Sequence, residues 1–277
     1  MLSTCFFTKI RSLLYVPGVD KAKLFKLVNP DLLCLDLEDS VPVQMKAIAR
    51  QNVAERLQQP FKNIMGVRIN ALGTSNLSQD LKIINKNVHT IVVPKVNHWQ
   101  DIAKIKLLLP KHIRFVACIE TAKGLLNSPG IAEKAEELGI SSLLFAAEDF
   151  VADLQMIRTV HRRELLYARS KISHIAKAYN LQAIDMVCVQ FRNPEILQEE
   201  AQEAREMGFT GKQVIHPTQI DHVNGIFSPT VKQIERANKI IDGYKKHSES
   251  GKGAFELNGE VVDMPVVNWA ENILNKN

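Results

Sequence analysis

The sequence predicts an α/β protein: a (β/α)8 TIM barrel followed by a C-terminal helix–hairpin–helix extension. Eight short runs rich in Val, Ile and Leu recur along the chain and alternate with amphipathic helical patterns. The runs are apolar on both faces, as parallel strands covered by helices are. Eight such units favour a closed barrel over a doubly wound open sheet.

The barrel is predicted over residues 1–227. Its strands, in chain order, are RSLLYVP (11–17), LLCLDLED (32–39), IMGVRIN (64–70), TIVVPK (90–95), IRFVACIE (113–120), SLLFAAED (142–149), AIDMVCVQF (183–191) and KQVIHP (212–217). The clearest helical patterns between them are MKAIARQNVAERL (45–57), WQDIAKIKLLL (99–109) and LQEEAQEAREMG (197–208). Spacings of 20–40 residues, roughly, leave room for one crossover helix after each strand.

Residues 228–277 form the predicted extension. An amphipathic helix is expected from Pro229, and a last helix after Pro265. Between them lie a Gly-Lys-Gly turn, a short FEL strand, an Asn-Gly turn and a VVD strand, a pattern typical of a hairpin.

Composition excludes several classes of protein. The net charge of the 277 residues is only +5 and no long Lys/Arg block is present, so no nucleic-acid partner is expected. The mild positive bias suits an anionic substrate. No apolar stretch approaches the roughly 20 residues that span a bilayer, so no membrane contact is expected.

The cysteines and the N-terminal residues predict a cytoplasmic protein. Cys34, Cys118 and Cys188 lie inside apolar runs, where cysteine usually serves as a small hydrophobic residue; Cys5 is the fourth. None has the spacing of a metal site, so all four are expected to be reduced. The start, MLSTCFFTKIR, is too short before the first strand to suggest a signal or transit peptide.

Two predicted core strands end on acids. In RFVACIET the apolar residues are followed by Glu120, and in LLFAAEDF they are followed by Glu148 and Asp149. Burying an unpaired carboxylate costs on the order of several kcal/mol, so these acids need a counter-charge. In a barrel the carboxyl ends of all strands meet at one mouth. Two carboxylates without His or Cys suit Mg²⁺; ion pairs with Lys95 or Arg68 are an equal alternative from spacing alone.

Other polar strand ends also have two interpretations. Arg68 is either the ion-pair partner of Asp36 or Glu38, or a fork that grips a carboxylate or thioester oxygen. His216 is more often a satisfied strand-end histidine than a catalytic base. The SGKG segment (250–253) lacks the spacing and the strand–helix context of a phosphate-binding loop.

A series of motifs in order carries a family resemblance. They are RSLLYVPG, LDLEDSV (35–41), VRIN (67–70), VPKV (93–96), IETAKGLLN (119–127), AAEDF (146–150), LYARSKI (166–172), QAIDMV (182–187), GFTGKQVIHPTQI (208–220) and GKGAFELNGEVVDMP (251–265). The chain resembles the citrate lyase β-subunit-like proteins of the HpcH/HpaI aldolase/citrate lyase superfamily. Within that group it is most similar to the stand-alone citramalyl-CoA lyases.

The resemblance implies roles for the reacting residues. Glu120 and Asp149 would be the Mg²⁺ ligands, and Arg68 would bind the reacting end of the substrate. Asp263, in VVDMP, would be the acid/base group, delivered by the C-terminal extension to the active site of a neighbouring subunit. The resemblance therefore also implies an oligomer, commonly a homotrimer.

Four further matched positions would bind the acyl-CoA. Tyr15 and the basic residues that follow it would contact the CoA portion, with Lys26 as the better match among them. Ile215 and His216 would line the acyl-CoA channel at strand eight.

The implied activity is a reversible, Claisen-type carbon–carbon lyase reaction. Citramalyl-CoA, or malyl-CoA, would be cleaved to acetyl-CoA and a 2-oxo acid, pyruvate or glyoxylate. Three alternatives remain at this stage: the β subunit of a multi-component citrate lyase acting on citryl-acyl carrier protein, a barrel acting on phosphoenolpyruvate-type substrates, and an inactive or RNA-associated scaffold barrel.

Overall fold

Residues 9–248 and 254–274 are described by the structure, a computed structural model. The chain divides into two compact units between Asn224 and Gly225. The first is a closed barrel in which eight parallel strands follow one another around the ring in chain order and the last strand pairs with the first. The predicted (β/α)8 barrel is therefore confirmed. Residues 1–8 of the N-terminal segment MLSTCFFTKIR and the predicted Gly-Lys-Gly turn lie outside the described residues.

The barrel strands are short, and helices follow them. The strands are β1 (Ser12–Pro17), β2 (Leu32–Asp36), β3 (Ile64–Arg68), β4 (Thr90–Val93), β5 (Arg114–Ile119), β6 (Ile140–Phe145), β7 (Gln182–Asp185) and β8 (Gly211–Val214). The helices are α1 (Lys21–Leu24), α2 (Lys46–Arg56), α3 (Leu77–Leu81), α4 (Trp99–Lys106), α5 (Ala122–Glu133), α6 (Ala135–Leu138), α7 (Ala147–Asp153), α8 (Leu166–Ala178), α9 (Pro194–Glu206) and α10 (Gln219–Ile226). Two 3₁₀ turns precede α2 and α8, at Val43–Met45 and Arg163–Leu165.

Alternate strand residues fill the barrel interior. One buried cluster joins inward-facing side chains from six of the strands and from the segment before β1: Ile10, Leu13, Leu32, Cys34, Val92, Val116, Cys118, Leu144 and Ile184, with Tyr15, Ile64 and Ala146 packed on it. Because the side-chain period of a strand is two, the next inward positions are Asp36 on β2, Arg68 on β3 and Glu120 just after β5. The same alternation that builds the core therefore aims these polar groups at the mouth.

The strands end earlier than the apolar runs predict. Glu148 and Asp149 lie in the first turn of α7 and not on β6, and β7 ends at Asp185, which leaves Gln190 and Arg192 in a loop. His216 also follows its strand, since β8 ends at Val214. Acids in a first helical turn interact favourably with the helix dipole, which explains why AED begins a helix here.

An ionic cluster is buried between the barrel wall and two helices. The carboxylate of Asp185 accepts hydrogen bonds from Nε and Nη2 of Arg169 on α8, at 3.1 and 3.0 Å. One of its oxygens also lies 3.4 Å from Nζ of Lys212 on β8. Lys212 also lies 3.2 Å from Glu200 of α9. All four side chains are buried. The cluster ties α8 and α9 to β7 and β8, the strands that lead to one side of the mouth.

The second unit is the predicted helix, hairpin and helix. It contains α11 (Val231–Ser248), the antiparallel strands β9 (Phe255–Leu257) and β10 (Glu260–Val262), and α12 (Met264–Leu274). Asn258 and Gly259 both have positive φ, as a two-residue hairpin turn requires. The ring of Phe255 fills the space over Gly243, where any Cβ would lie 2.5 Å from the ring. The first helix, α11, starts two residues after Pro229, where it was predicted to begin. The last helix, α12, starts one residue before Pro265 and not after it.

Two composition-based expectations can be compared with the described residues. Cys34, Cys118 and Cys188 are free thiols and all are buried, as expected for core cysteines, whereas Cys5 lies in the undescribed N-terminal segment. Within residues 9–248 and 254–274, no helix combines the length and the apolar character needed to cross a membrane.

Replacing Asp185 by alanine should strongly destabilise the barrel. The substitution leaves Arg169 and Lys212 buried beside one another without their shared carboxylate, and breaking a buried pair in this way costs about 3–5 kcal/mol. Glu55→Ala, which removes an exposed partner of Lys21, should cost less than about 1 kcal/mol. Urea unfolding of both variants measures the difference. Equal, small losses in the two variants would contradict the structural role of the cluster.

Candidate functional site

A guanidinium–carboxylate fork lies at the C-terminal mouth of the barrel. Arg68, the last residue of β3, donates from Nε and Nη2 to the two oxygens of Asp36 on β2, at 2.7 and 2.6 Å. Asp36 is fully buried, and its carboxylate also accepts the backbone N–H of Glu38 at 2.9 Å and bonds to Ser40. Burial alone would raise the pKa of Asp36, but the hydrogen bonds and charge of Arg68 outweigh it and hold the pKa below its usual range.

The YVPG turn brings β1 against this fork. Gly18 donates its N–H to the carbonyl of Asp36 at 2.8 Å, and a Cβ at this position would lie 2.8 Å from the same oxygen. Glycine is thus required by close approach of two backbones. Tyr15, three residues earlier on β1, places its ring 4.6 Å from the Arg68 guanidinium carbon, a cation–π contact.

Glu38 faces the other edge of Arg68. Its Oε2 lies 3.1 Å from Nη1 of Arg68, and its Oε1 lies 3.8 Å from Nζ of Lys95. Burial raises the pKa of Glu38 to about 8 although Arg68 opposes the shift, and the negative charges of Asp39 and Glu120 add to it. Arg68 therefore does not neutralise all of the acids around it.

Glu120 is a buried acid without a basic side chain on it. It follows β5, is 3% exposed, and its Oε1 accepts the backbone N–H of Lys95 at 2.5 Å. Its other oxygen has no hydrogen-bond partner, and no Lys or Arg lies within ion-pair distance, among the residues that the structure describes. Burial raises the pKa of Glu120 to about 7, and the negative charge of Asp149 contributes next. Both acids contact Lys95, Glu120 through the backbone N–H and Asp149 through the ammonium group.

Asp149 is the more exposed of the two acids. Its side chain is 37% exposed, and its Oδ1 lies 3.8 Å from Nζ of Lys95. Glu148, its neighbour on α7, points to a different partner, since its Oε1 lies 3.4 Å from Nε of Arg158. The ion-pair alternative therefore holds for Asp149 with Lys95 but not for Glu120.

The donor set fits a hard divalent cation. In the described part of the chain, no group of three or more His, Cys, Asp or Glu side chains is arranged to hold a metal ion. A carboxylate oxygen that no protein group binds, on a buried acid and close to a second carboxylate, suits Mg²⁺, because Mg²⁺ takes one or two protein carboxylates and keeps water or substrate oxygens as its other ligands. Soft metals, which need thiolate or imidazole, do not fit.

A cavity of about 270 Å³ opens beside these groups. Its lining includes Tyr15, Asp36, Arg68, Asp149, Gln213 and Ile215; Glu120 is not among the lining residues. Gln213 was missed by sequence reasoning. It is an inward-facing residue of β8 that donates to the carbonyls of Phe145 and Asp185, at 2.8 and 3.1 Å, and its position two residues before Ile215 was the available signal.

The remaining predicted residues lie in three places. Ile215 lines the cavity, whereas His216 points to an adjacent one of about 420 Å³, stacks on Phe191 at 5.4 Å and bonds to Thr218. Lys26 is exposed and lies two residues beyond the four-residue α1. The chain turns there because Phe25 already ends the helix.

Asp263 belongs to the second unit and is exposed. It immediately precedes α12, its carbonyl accepts the N–H of Val267 at 3.0 Å, and its carboxylate lies 3.4 Å from the N–H of Val266. Capping of α12 is thus a structural role for this side chain.

Buried acids, a forked guanidinium and a cavity at the C-terminal mouth define the class of protein as a (β/α)8-barrel enzyme, since active sites of such barrels lie at this face. The HpcH/HpaI aldolase/citrate lyase family model matches residues 11–217. The chain belongs to the HpcH/HpaI aldolase/citrate lyase family.

Relatives and solved structures resemble the chain along nearly its whole length. It is 34% identical to the mitochondrial citramalyl-CoA lyase of Homo sapiens, over 95% of this chain and 84% of that protein. It is 31% identical to the citrate lyase subunit beta of Escherichia coli K12, over 96% and 92%. The CitE protein of Mycobacterium tuberculosis, solved with magnesium, acetoacetate and coenzyme A, superposes with a TM-score of 0.79 at 28% identity, over 97% and 98% of the two chains. The expected family is confirmed, and at that level so is the expected lyase class.

Arg68→Met should destabilise the protein by about 3–5 kcal/mol at pH 7, because it leaves Asp36 charged and buried. In the wild type the pKa of Asp36 is lower in the folded state than in the unfolded state. Asp36 therefore contributes stability at every pH above its unfolded pKa, and this contribution is lost only in strong acid. Without Arg68, burial raises that pKa. The deficit relative to wild type should therefore be largest near pH 8 and shrink as pH falls towards 5, measured by urea unfolding at each pH.

The matched control is the double variant Arg68→Met/Asp36→Asn, which removes the charge of Asp36 together with its partner and changes the surroundings of Glu38 in the same way as Arg68→Met does. It should recover much of the lost stability, and its stability deficit should depend less on pH than that of Arg68→Met. A deficit of Arg68→Met that is the same at pH 8 and pH 5 would argue against charge on Asp36 as its cause.

Proposed function

We propose that this chain is a Mg²⁺-dependent carbon–carbon lyase that cleaves citramalyl-CoA, or malyl-CoA, to acetyl-CoA and pyruvate, or glyoxylate. The observation that carries the proposal is the pair formed by Glu120 and Asp149 at the barrel mouth, beside the Arg68 fork and the cavity. The citramalyl-CoA lyases among its relatives support the choice of substrate.

Glu120 and Asp149 would hold the Mg²⁺. Glu120 brings a carboxylate whose position is fixed by the Lys95 amide and whose second oxygen is available, and Asp149 brings an accessible one. When bound, Mg²⁺ supplies Lewis-acid stabilisation of negative charge on oxygen. The M. tuberculosis CitE structures solved with magnesium support this choice of ion.

Arg68 would stabilise the negative charge that develops on the thioester oxygen. In cleavage, the substrate's hydroxyl proton passes to a base or to water, and the hydroxyl carbon becomes the carbonyl carbon of the 2-oxo acid. The electron pair of the broken carbon–carbon bond passes to the acetyl fragment as an enolate, which is then protonated at its methyl carbon. Asp36 uses two of the five N–H groups of Arg68 and prevents rotation of the guanidinium. With Nη1 facing Glu38 as well, the guanidinium is held in one orientation before the reaction starts, which is the condition for electrostatic stabilisation of a transition state.

Tyr15, Lys26, Ile215 and His216 would bind the rest of the acyl-CoA. Tyr15 and Ile215 line the cavity beside the reacting groups, and His216 lines the neighbouring one. Lys26, exposed beyond α1, would reach a phosphate at the surface.

Asp263 would move the proton at the acetyl methyl carbon. It would do so from a neighbouring subunit, since the protein is proposed to assemble as a homotrimer whose C-terminal extension (228–277) completes the next active site. Its exposed position at the start of α12 suits such a reach. We place the protein in the cytoplasm, although the mammalian relatives are named as mitochondrial.

A panel of thioesters assayed with and without Mg²⁺ tests the substrate and the ion. Citramalyl-CoA should be cleaved in Mg²⁺, and chelation by EDTA should reduce the rate to background. Glu120→Gln should do the same, whereas Glu133→Gln, which changes an exposed acid on α5, should leave the rate unchanged. Full activity in EDTA would exclude the metal. Turnover of citryl-acyl carrier protein, without turnover of any CoA thioester, would assign the chain to the multi-component citrate lyases. Several of its relatives are named as subunits of such enzymes.

Mixing two inactive variants tests the role of Asp263. Glu120→Gln lacks a metal ligand and Asp263→Asn lacks the acid/base group, so each pure oligomer should be inactive. In mixed oligomers, a barrel from one variant meets an extension from the other, and about a quarter of sites should regain both groups. Activity should rise when the two are unfolded together and refolded. No recovery, with assembly confirmed by light scattering, would show that Asp263 does not act across subunits.

A further inference from the structure

Lys95 holds an uncommon backbone conformation next to the proposed metal ligands. It lies two residues after β4 and has φ of +53°, a left-handed region that side-chain-bearing residues seldom adopt. Such outliers persist where the surroundings require them, and many lie at functional sites. Here the conformation lets one residue make contacts with three acids.

The backbone and the side chain of Lys95 act on different acids. Its N–H donates to Oε1 of Glu120 at 2.5 Å, which orients that carboxylate. Its ammonium lies 3.8 Å from Oε1 of Glu38 and 3.8 Å from Oδ1 of Asp149. In the described part of the chain no other Lys or Arg lies within ion-pair distance of Asp149. The Lys95 side chain is 43% exposed, so its ammonium group is free to move towards solvent or ligand.

The ammonium and a divalent cation would compete for the same carboxylate. A cation held by Glu120 and Asp149 would displace Lys95 from Asp149 or lie close to its positive charge, and either outcome weakens binding of the cation alone. A ligand that brings its own carboxylate would restore the balance, because its negative charge offsets the ammonium. The two ligands would then bind more tightly together than separately.

We propose that Lys95 is a positioning residue that couples the binding of Mg²⁺ to the binding of a carboxylate-bearing substrate. The inference rests on the proposed function, since it takes Glu120 and Asp149 as the metal ligands. Its consequence is that the free protein binds Mg²⁺ weakly and acquires it together with the 2-oxo acid or acyl-CoA acid.

Calorimetric titration of Mg²⁺, with and without saturating pyruvate, tests the coupling without any assay of turnover. In the wild type, pyruvate should tighten Mg²⁺ binding. Lys95→Met keeps the backbone N–H and the side-chain length but removes the charge. It should bind Mg²⁺ alone about three- to tenfold more tightly, and pyruvate should then tighten binding by a correspondingly smaller factor.

Two control variants separate charge at this position from charge in general. Lys95→Arg should restore weak binding of Mg²⁺ alone and the larger effect of pyruvate. Lys82→Met, which removes an exposed lysine elsewhere, should behave as wild type.

The outcomes distinguish this inference from the proposed function. If wild type and Glu120→Gln bind Mg²⁺ equally, the proposed metal site is wrong and the inference falls with it. If Glu120→Gln loses Mg²⁺ binding, but Lys95→Met binds Mg²⁺ no more tightly than wild type does, the proposed function stands and the role of Lys95 is overturned. An unchanged effect of pyruvate in Lys95→Met overturns it as well.

Discussion

The contact between Arg68 and Asp36 is the interaction on which the barrel mouth depends. It joins the ends of β2 and β3 and fixes the orientation of the guanidinium, because Nε and Nη2 of Arg68 both donate to the carboxylate of Asp36. The positive charge of Arg68 only partly offsets the effect of burial on Glu38 and Glu120. Burial raises the pKa of Glu38 to about 8 and that of Glu120 to about 7, and neighbouring carboxylates add to both shifts. A site with unbalanced negative charge is a site prepared for a cation.

A second ionic cluster shows the contrast. Around Asp185, on the outer face of the barrel, buried acids and bases pair with one another and join strands to helices. The chain therefore places balanced charge where it stabilises the fold and unbalanced charge where the barrel opens. Strand alternation separates the two sets, because inward and outward side chains follow one another along the same strand.

Much of the site could be predicted because it depends on order along the chain. Strand runs, the motifs at their ends and the period of two predicted that Arg68, Glu120 and Asp149 would lie at one mouth. Sequence reasoning did not separate an ion pair from a metal site, since both need the same residue types. Gln213 was overlooked because a glutamine in an apolar run has no chemistry of its own until its neighbours are known.

The sequence by itself determined the class of fold, the number of strands and the family, because periodicity and ordered motifs are properties of the linear chain. Only the tertiary structure decided which partners the charged groups take. Lys95 reaches Glu38 and Asp149 while its amide reaches Glu120, and Arg68 turns its fork to Asp36. Such choices depend on distances of a few ångströms between segments far apart in sequence, and electrostatic energy varies steeply over those distances.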